Sequence, residues 1–338
     1  MLRICGVLSL LVALYVTLYF SHHNALSQSN LIDVANRQGF YGVLTLGVAV
    51  LIITGAIDLS IGSVVGLSAI LFGVLMRGIE VKLLGTTTQV GPVHPYLALP
   101  MVLLVGVAIG VMHGLLVTRL KLQAFLVTLC GLFVYRGLSR YTTDTPVGLE
   151  NIKKSVPEFR PPIDRLRAIL IGKDSEGALD YPAQMLTLIV LALIVGVILH
   201  KSVYGRYWYA IGYNESAAKF AGIATYRHRL TGFVISSTLA SLGGIMFLLD
   251  QGTADPTNAG EMLELYAITG AVLGGCSLRG GEGTAIGMVL GAAVLPLLRN
   301  VVNFQKIPDA IIPAIIGLTL LFGTIADEFF RRRSALRK

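Results

Sequence analysis

Between Arg37 and Arg77 the chain carries one charged side chain, Asp58, in the stretch GAIDLSIGS. A membrane-spanning helix needs roughly 20 apolar residues, and this run is about twice that length. It therefore reads as two apolar segments, about 39–57 and 61–76, meeting at a Gly/Asp/Ser break. In hydrocarbon every backbone N–H and C=O needs a partner, so non-helical backbone persists only where protein or a water-filled cavity solvates it. Two readings of the break stay open and are compatible. Asp58 or Ser60 starts the following helix as its N-cap, or a broken helix stands beside a polar path through the membrane.

The rest of the chain has the same character. Aliphatic, aromatic and Cys residues make up 54% and charged residues 14%, against about 25% charged in soluble domains; mean hydropathy is +0.73. Over 338 residues this predicts an all-α polytopic membrane protein forming a single transmembrane domain over 1–338. The expected spans are 3–20, 39–57, 61–76, 97–117, 122–140, 182–200, 230–249, a short Gly-interrupted run at 262–277, 284–299 and 309–326. That makes about ten, two of them broken or short. The net charge of +8 does not point to nucleic acid, because much of it sits beside spans, where Lys and Arg mark the cytoplasmic side. Cys5, Cys130 and Cys276 are isolated in apolar runs and suggest neither a disulfide framework nor a metal site. Gly172-Lys173-Asp174 lacks the Ser/Thr and the upstream Gly of a P-loop.

One polar island interrupts the apolar pattern, KSVYGRYWYAIGYNESAAKFAGIATYRHR at 201–229. Lys201, Arg206, Lys219, Arg227 and Arg229 face one acid, Glu215, which predicts a cytoplasmic segment. Its middle, 214–221, reads as a short helix. Asn214 is a good N-cap, Glu215 lies in the first turn, and Gly222 can supply a left-handed stop. Glu215 and Lys219 have the favourable i,i+4 order. Ala217, Ala218 and Ala221 form a small-residue face with Phe220 beside it, suited to docking on a partner. The plainer alternative is a basic loop with no dedicated partner.

Gly205-Arg206, Tyr209-Ala210-Ile211-Gly212-Tyr213-Asn214-Glu215-Ser216-Ala217-Ala218 and Ala221-Gly222-Ile223 resemble the cytoplasmic coupling loop of sugar ABC-transporter permeases of the ribose/galactoside type, with Tyr213 where a second Gly is usual. The 55–63 stretch is similar to that family's "GGIDLSVGS". Phe125, Thr128, Leu129, Arg136 and Gly137 match its "FIVTLG…RG" pattern, and 264–284 its "ELDAIA…GGTSL.GG.GT", with Tyr266 where Asp is usual. Asn300 and Asn303 resemble the family as well. The resemblance spans nearly the whole chain. It implies a permease subunit that binds no cofactor and uses ATP only through a separate ABC ATPase. Its further implied partners are a second permease, identical or homologous, an extracytoplasmic (periplasmic) sugar-binding protein and membrane lipid. It places the chain in the bacterial inner membrane. Arg206, Gly212, Asn214, Glu215, Ala217, Ala218, Phe220 and Gly222 would couple to the ATPase. Candidate lining for the translocation path is Asp58, Ser60, Thr128, Glu264, Asn300 and Asn303. The long external segment resembles the branch that carries furanose-form hexoses such as galactofuranose.

Loop charges place both termini in the cytoplasm, the C-terminus through the basic tail 331–338, and put 21–38, 77–96, 141–181 and 250–264 outside. Segment 141–181 carries Lys153, Lys154, Arg160, Arg165, Arg167 and Lys173 against a similar number of acids, which predicts a folded external cap; Arg136 and Arg140 run against the charge rule. GAIDLSIG and GGCSLRGGEG (274–283) are a pair of Gly-interrupted segments of the kind that marks a substrate path, or they serve close helix packing. His113, alone in a span, reads as a packing residue before a proton relay. A stand-alone ion-coupled transporter using Asp58, His113 or Glu264 is the competing class. A membrane enzyme would need an acid/base or metal cluster, and His22-His23, the one His pair, has no nearby match.

Overall fold

The computed structural model describes residues 2–21, 23–83, 86–173, 178, 180–308, 311–315, 317–318, 321 and 325. The chain is helical. In order come α1 (Leu2–Ser21), α2 (Gln28–Ile53), α3 (Ile61–Arg77), the strands β1 (Ile79–Leu83) and β2 (Thr86–Val90), α4 (Pro95–Thr118) and α5 (Ala124–Thr142). Then follow β3 (Val147–Gly148), α6 (Leu149–Ser155), α7 (Arg160–Ile171), α8 (Ala183–Lys201), α9 (Val203–Tyr213) and α10 (Glu215–Phe220). The described part closes with α11 (Thr225–Gln251), β4 (Thr253–Ala254), α12 (Leu263–Leu273) and α13 (Ala285–Phe304). By length and composition α2, α4, α8, α11 and α13 can each cross a membrane; Gly6–Phe20, Ile61–Arg77 and Leu263–Leu273 are apolar but shorter. Much of the expected span at 309–326, and all of the basic tail 331–338, lies outside the described residues.

Two element boundaries depart from hydropathy. The expected external loop 21–38 is helical from Gln28, because Ser27 caps the helix by accepting from Asn30 N and Asp33 and Arg37 pair at i,i+4. The island 201–229 is helical almost throughout. Ser202 caps α9 by accepting from Gly205 N, and Trp208 and Ile211 turn inward from it.

The chain divides into two compact units, one of residues up to Ile57 with Met185–Arg229 and Leu265 onward, the other of Asp58–Gln184 and Leu230–Glu264. In the first unit α1 and α2 both pack on α13, in a cluster that includes Val7, Leu11, Leu18, Val34, Val294 and Leu297. Gly270 of α12 and Gly274, just past its end, meet Gly287 and Gly291 of α13 so closely that a Cβ on Gly274, Gly287 or Gly291 would collide with the facing backbone. This is the small-xxx-small spacing that lets membrane helices approach closely.

In the second unit α3 is buried almost along its whole length and is flanked by α4 and α5. Gly106, Gly110 and Gly114, each four residues apart, form a stripe on α4 against Ser237 and Ser241, Phe233 and Val234, and Leu230 of α11. The described residues of 141–181 include short helices and a strand. β3 pairs antiparallel with β4, Val147 opposite Ala254, and α6 and α7 bury Ile152, Phe159, Ile163 and Leu166. Lys153, 3% exposed, is held at 2.8 Å by both Glu150 and Asp164. β1 and β2 form an antiparallel ribbon with Ile79 opposite Val90; the Thr86-Thr87-Thr88 run has the β-branched character strands favour.

Candidate functional site

The 201–229 segment is the best-built polar feature of the first unit. α10 is closed at both ends by its own residues. Asn214 Oδ1 accepts from Ala217 N at 3.0 Å. At the other end Gly222 takes a positive φ of 82°, its N–H donates to Lys219 O and that of Ile223 to Ala218 O. This pair of bonds is the Schellman closure that a left-handed Gly permits. A six-residue helix is too short to persist on propensity alone, so these caps and its attachments hold it. Glu215, expected opposite Lys219, instead pairs with Arg229 Nη1 at 2.8 Å. Arg229 Nη2 also donates to the Thr54 carbonyl oxygen, one of the acceptors left open where α2 ends. Trp208 Nε1 donates to His228 O at 3.0 Å, tying α9 to the first turn of α11.

The faces of α10 differ from the expectation in one respect. Ala218 is buried at 5% exposure, while Phe220 is 93% exposed and Tyr213, just before the helix, 86%. The small-residue face is divided: Ala218 turns toward the protein while Ala217 and Ala221 stay exposed, and the aromatic side chains stand out. Arg206 is exposed on α9.

Gly212 lies where three segments meet. A Cβ there would run into Ile53 O and Gly281 N, and Gly280, at φ 87°, sits against Gly55 and Gly212. Gly281 N donates to Ile53 O at 2.9 Å and Tyr209 OH to Gly283 O at 2.8 Å. The end of α2, the 274–283 loop and the α9–α10 corner therefore touch backbone to backbone. Sequence reasoning paired the two Gly-interrupted stretches but missed that both rest on the polar island. The clue was Gly212 itself, since such close approach excludes any side chain.

Of the other nominated residues, Asp58 and Ser60 are fully buried in the second unit. Asp58 Oδ1 accepts from Ser60 N at 2.8 Å and Ser60 Oγ at 2.6 Å, and Oδ2 from Ser236 Oγ at 3.3 Å. Ser60 occupies the N-cap position of α3, but its side chain makes no cap bond; Asp58 supplies the acceptor. Thr128 is buried and bonds back to Ala124 O. Glu264 is 7% exposed, with Oε1 4.0 Å from Arg136 Nη2. His113 Nε2 is 2.8 Å from Tyr135 OH, inside the packed helices as read. Among the described residues no group of three or more His, Cys, Asp or Glu could hold a metal ion.

Asn300 and Asn303 line a cavity of the first unit, about 320 Å³, together with Asp33, Arg37, Tyr266 and Arg299. Asn300 and Asn30 exchange amide hydrogen bonds at 2.8 and 3.3 Å. Arg299 was not singled out from the sequence, although it is the one charged residue in α13, and an ionisable group within a span is a signal in its own right.

The chain matches the model of the family described as branched-chain amino acid transport system / permease component over residues 30–324. It is 32% identical over 274 residues to the inner membrane ABC transporter permease protein YjfF of Escherichia coli (strain K12), covering 81% of this chain and 75% of that one. The ribose import permease protein RbsC of Bacillus subtilis (strain 168) is 29% identical, covering 90% of this chain and 86% of its own. The autoinducer 2 import system permease protein LsrC of Salmonella typhi is 31% identical over 97% of this chain and 86% of its own. No solved structure matches.

Proposed function

The chain belongs to the branched-chain amino acid transport system / permease component family, and on that premise we propose that it is the inner-membrane permease of an ABC importer for a monosaccharide. Relatives named for ribose and autoinducer 2 import support the substrate class. In this reading α9 and α10 lie on the cytoplasmic side and receive force from a separate ATPase, while an extracytoplasmic binding protein delivers the sugar. A second permease, identical or homologous, completes the membrane part. Both termini are cytoplasmic, the span count is ten, and 141–181 is an external cap on a single permease domain over 1–338.

One observation carries the coupling assignment. A helix closed at both ends by Asn214 and Gly222 presents Phe220 to solvent, and Arg229 connects that helix to the end of α2. An exposed aromatic on a rigid, capped turn suits a hot-spot anchor for a partner's pocket, and movement of α10 would pull on a membrane helix through Arg229. Arg206, Gly212, Glu215, Ala217, Ala218 and Gly222 belong to this element by position and packing. For the path, Asp58, Ser60, Thr128 and Glu264 remain the candidates in the second unit, and Asn300 and Asn303 in the first.

Reconstitution tests this function. In liposomes the chain alone, under a proton or sodium gradient, should accumulate no sugar. With its ATPase, binding protein and second permease, uptake should require ATP and survive collapse of the gradient. Gradient-driven uptake by the lone chain would transfer the assignment to a secondary transporter, with Asp58 the first residue to test.

A further inference from the structure

Among the described residues Arg299 forms no ion pair. It lies half-buried near the end of α13. Nη1 donates to Tyr41 OH at 3.0 Å and Nη2 to Tyr266 OH at 2.8 Å, and the guanidinium carbon stands 4.9 Å from the centre of the Tyr266 ring. Nε is buried and has no hydrogen-bond partner, and the group makes no ion pair with a carboxylate among the described residues. A guanidinium offers five N–H donors; the two phenols occupy two of them and neutralise none of the charge. Taking a cation partly out of water is costly unless a charge or a full set of hydrogen bonds compensates.

A cavity lies beside it. It measures about 320 Å³, at the lower end of the small-molecule range, and among the described residues its charged lining is Arg37 and Arg299 against Asp33. That carboxylate is already engaged by Arg37 at 2.8 Å. Asn300 is tied to Asn30. The uncommitted donors thus belong mainly to Arg299, whose plane is fixed by Tyr41 and Tyr266. A planar guanidinium fork held in one orientation is matched by the two oxygens of a carboxylate or phosphate.

We infer that this cavity is an oxyanion-binding site in which Arg299 is the anchor and Tyr41 and Tyr266 are positioning residues. The ligand group is a carboxylate or phosphate, carried either by a small acidic polyol or by a phospholipid headgroup. The assignment is independent of the transport reading, because the isolated chain is what binds.

The test uses the full chain purified and delipidated in maltoside detergent, with thermal unfolding followed at constant ionic strength during titration. Probes are glucuronate, neutral glucose as its matched control, and glycerol 3-phosphate for a headgroup. A saturable stabilisation by glucuronate and none by glucose is expected if the anion rides on a polyol. Saturation by glycerol 3-phosphate alone, with phosphatidylglycerol retained in native mass spectrometry, assigns the same group to lipid. In either case Arg299→Gln should weaken binding at least tenfold. No saturable response to any anion, or an undiminished response in Arg299→Gln, overturns the site. Should that variant not fold, Arg299→Lys decides. It keeps the charge and loses the fork, so affinity should again fall about tenfold, and unchanged affinity refutes the anchor.

Discussion

Arg229 donates from Nη2 to the carbonyl oxygen of Thr54 at 3.1 Å, across 175 residues of sequence. The same side chain holds Glu215 at 2.8 Å, so one guanidinium joins α10 to the end of α2. Glu215 is about half exposed, which limits the ion pair to about 1 kcal/mol or less of stability. If α10 couples to an ATPase as proposed, the consequence lies in transmission. Arg229→Gln should leave membrane accumulation near wild type and cut substrate-stimulated ATP hydrolysis about tenfold, equivalent to roughly 1.4 kcal/mol of coupling. Full stimulation in that variant would remove Arg229 from the coupling path.

Phe220 and Ala218, two residues apart, should separate docking from folding. Phe220 projects almost entirely into solvent and Ala218 is buried. Phe220→Ala should not affect accumulation and should weaken assembly with the ATPase by about 2 kcal/mol, roughly thirtyfold, as loss of a hot-spot anchor does. Ala218→Glu, the substitution that the small-residue face first suggests as an interface probe, places a carboxylate inside the chain. Its expected result is poor accumulation. A well-expressed Ala218→Glu protein that fails only in assembly would reverse the two assignments.

How much of this was legible in sequence follows from the range of each interaction. The N-cap at Asn214 and the stop at Gly222 are set within a few residues, and both were readable. So were the apolar segments, which depend on local composition. Arg229–Thr54, Trp208–His228 and the Gly55–Gly212–Gly280 contact were not readable, because each joins segments far apart in sequence and only the packed helices decide which meet. Glu215 shows the failure most clearly. Its i,i+4 partner Lys219 satisfies the local rule, yet the tertiary partner Arg229 holds it. The start of α2 at Gln28 was lost for another reason. Hydropathy reports burial, and its first turns are polar and partly exposed while remaining helical.

Asp58 distinguishes a cap from a charge. Its carboxylate receives Ser60 N, Ser60 Oγ and Ser236 Oγ in a fully buried place. Asp58→Asn retains an acceptor for Ser60 N, and Ser236, as a hydroxyl, can turn to accept from the new amide. That variant should accumulate normally. Asp58→Leu strands buried donors at about 1–3 kcal/mol each and should fail to accumulate. Uptake measured on Asp58→Asn then answers the functional question. Normal uptake means a structural cap, and uptake lost from a stable protein means that the charge itself is used.

The folded segment that holds α6 and α7 should be acid-sensitive. Glu150 accepts from Lys153 Nζ at 2.8 Å, and this bond, with the charges of Lys153, Arg160 and Arg167, holds its carboxyl below the ordinary value of 4.5. A carboxylate depressed in the folded state binds fewer protons there than in the unfolded chain, so stability rises with pH across that window. The contribution is complete above about pH 4.5 and is lost as pH falls through the folded-state value. Lys153 is nearly buried, and protonating Glu150 removes one of its two acids. Hydrogen exchange in α6 and α7, corrected for intrinsic rate, should show constant protection from neutral pH down to about 5 and a decline below 4.5. Glu150→Gln should lower the protection near pH 7 and make the acid decline shallower. An equally steep decline in Glu150→Gln would mean that Glu150 does not support this segment.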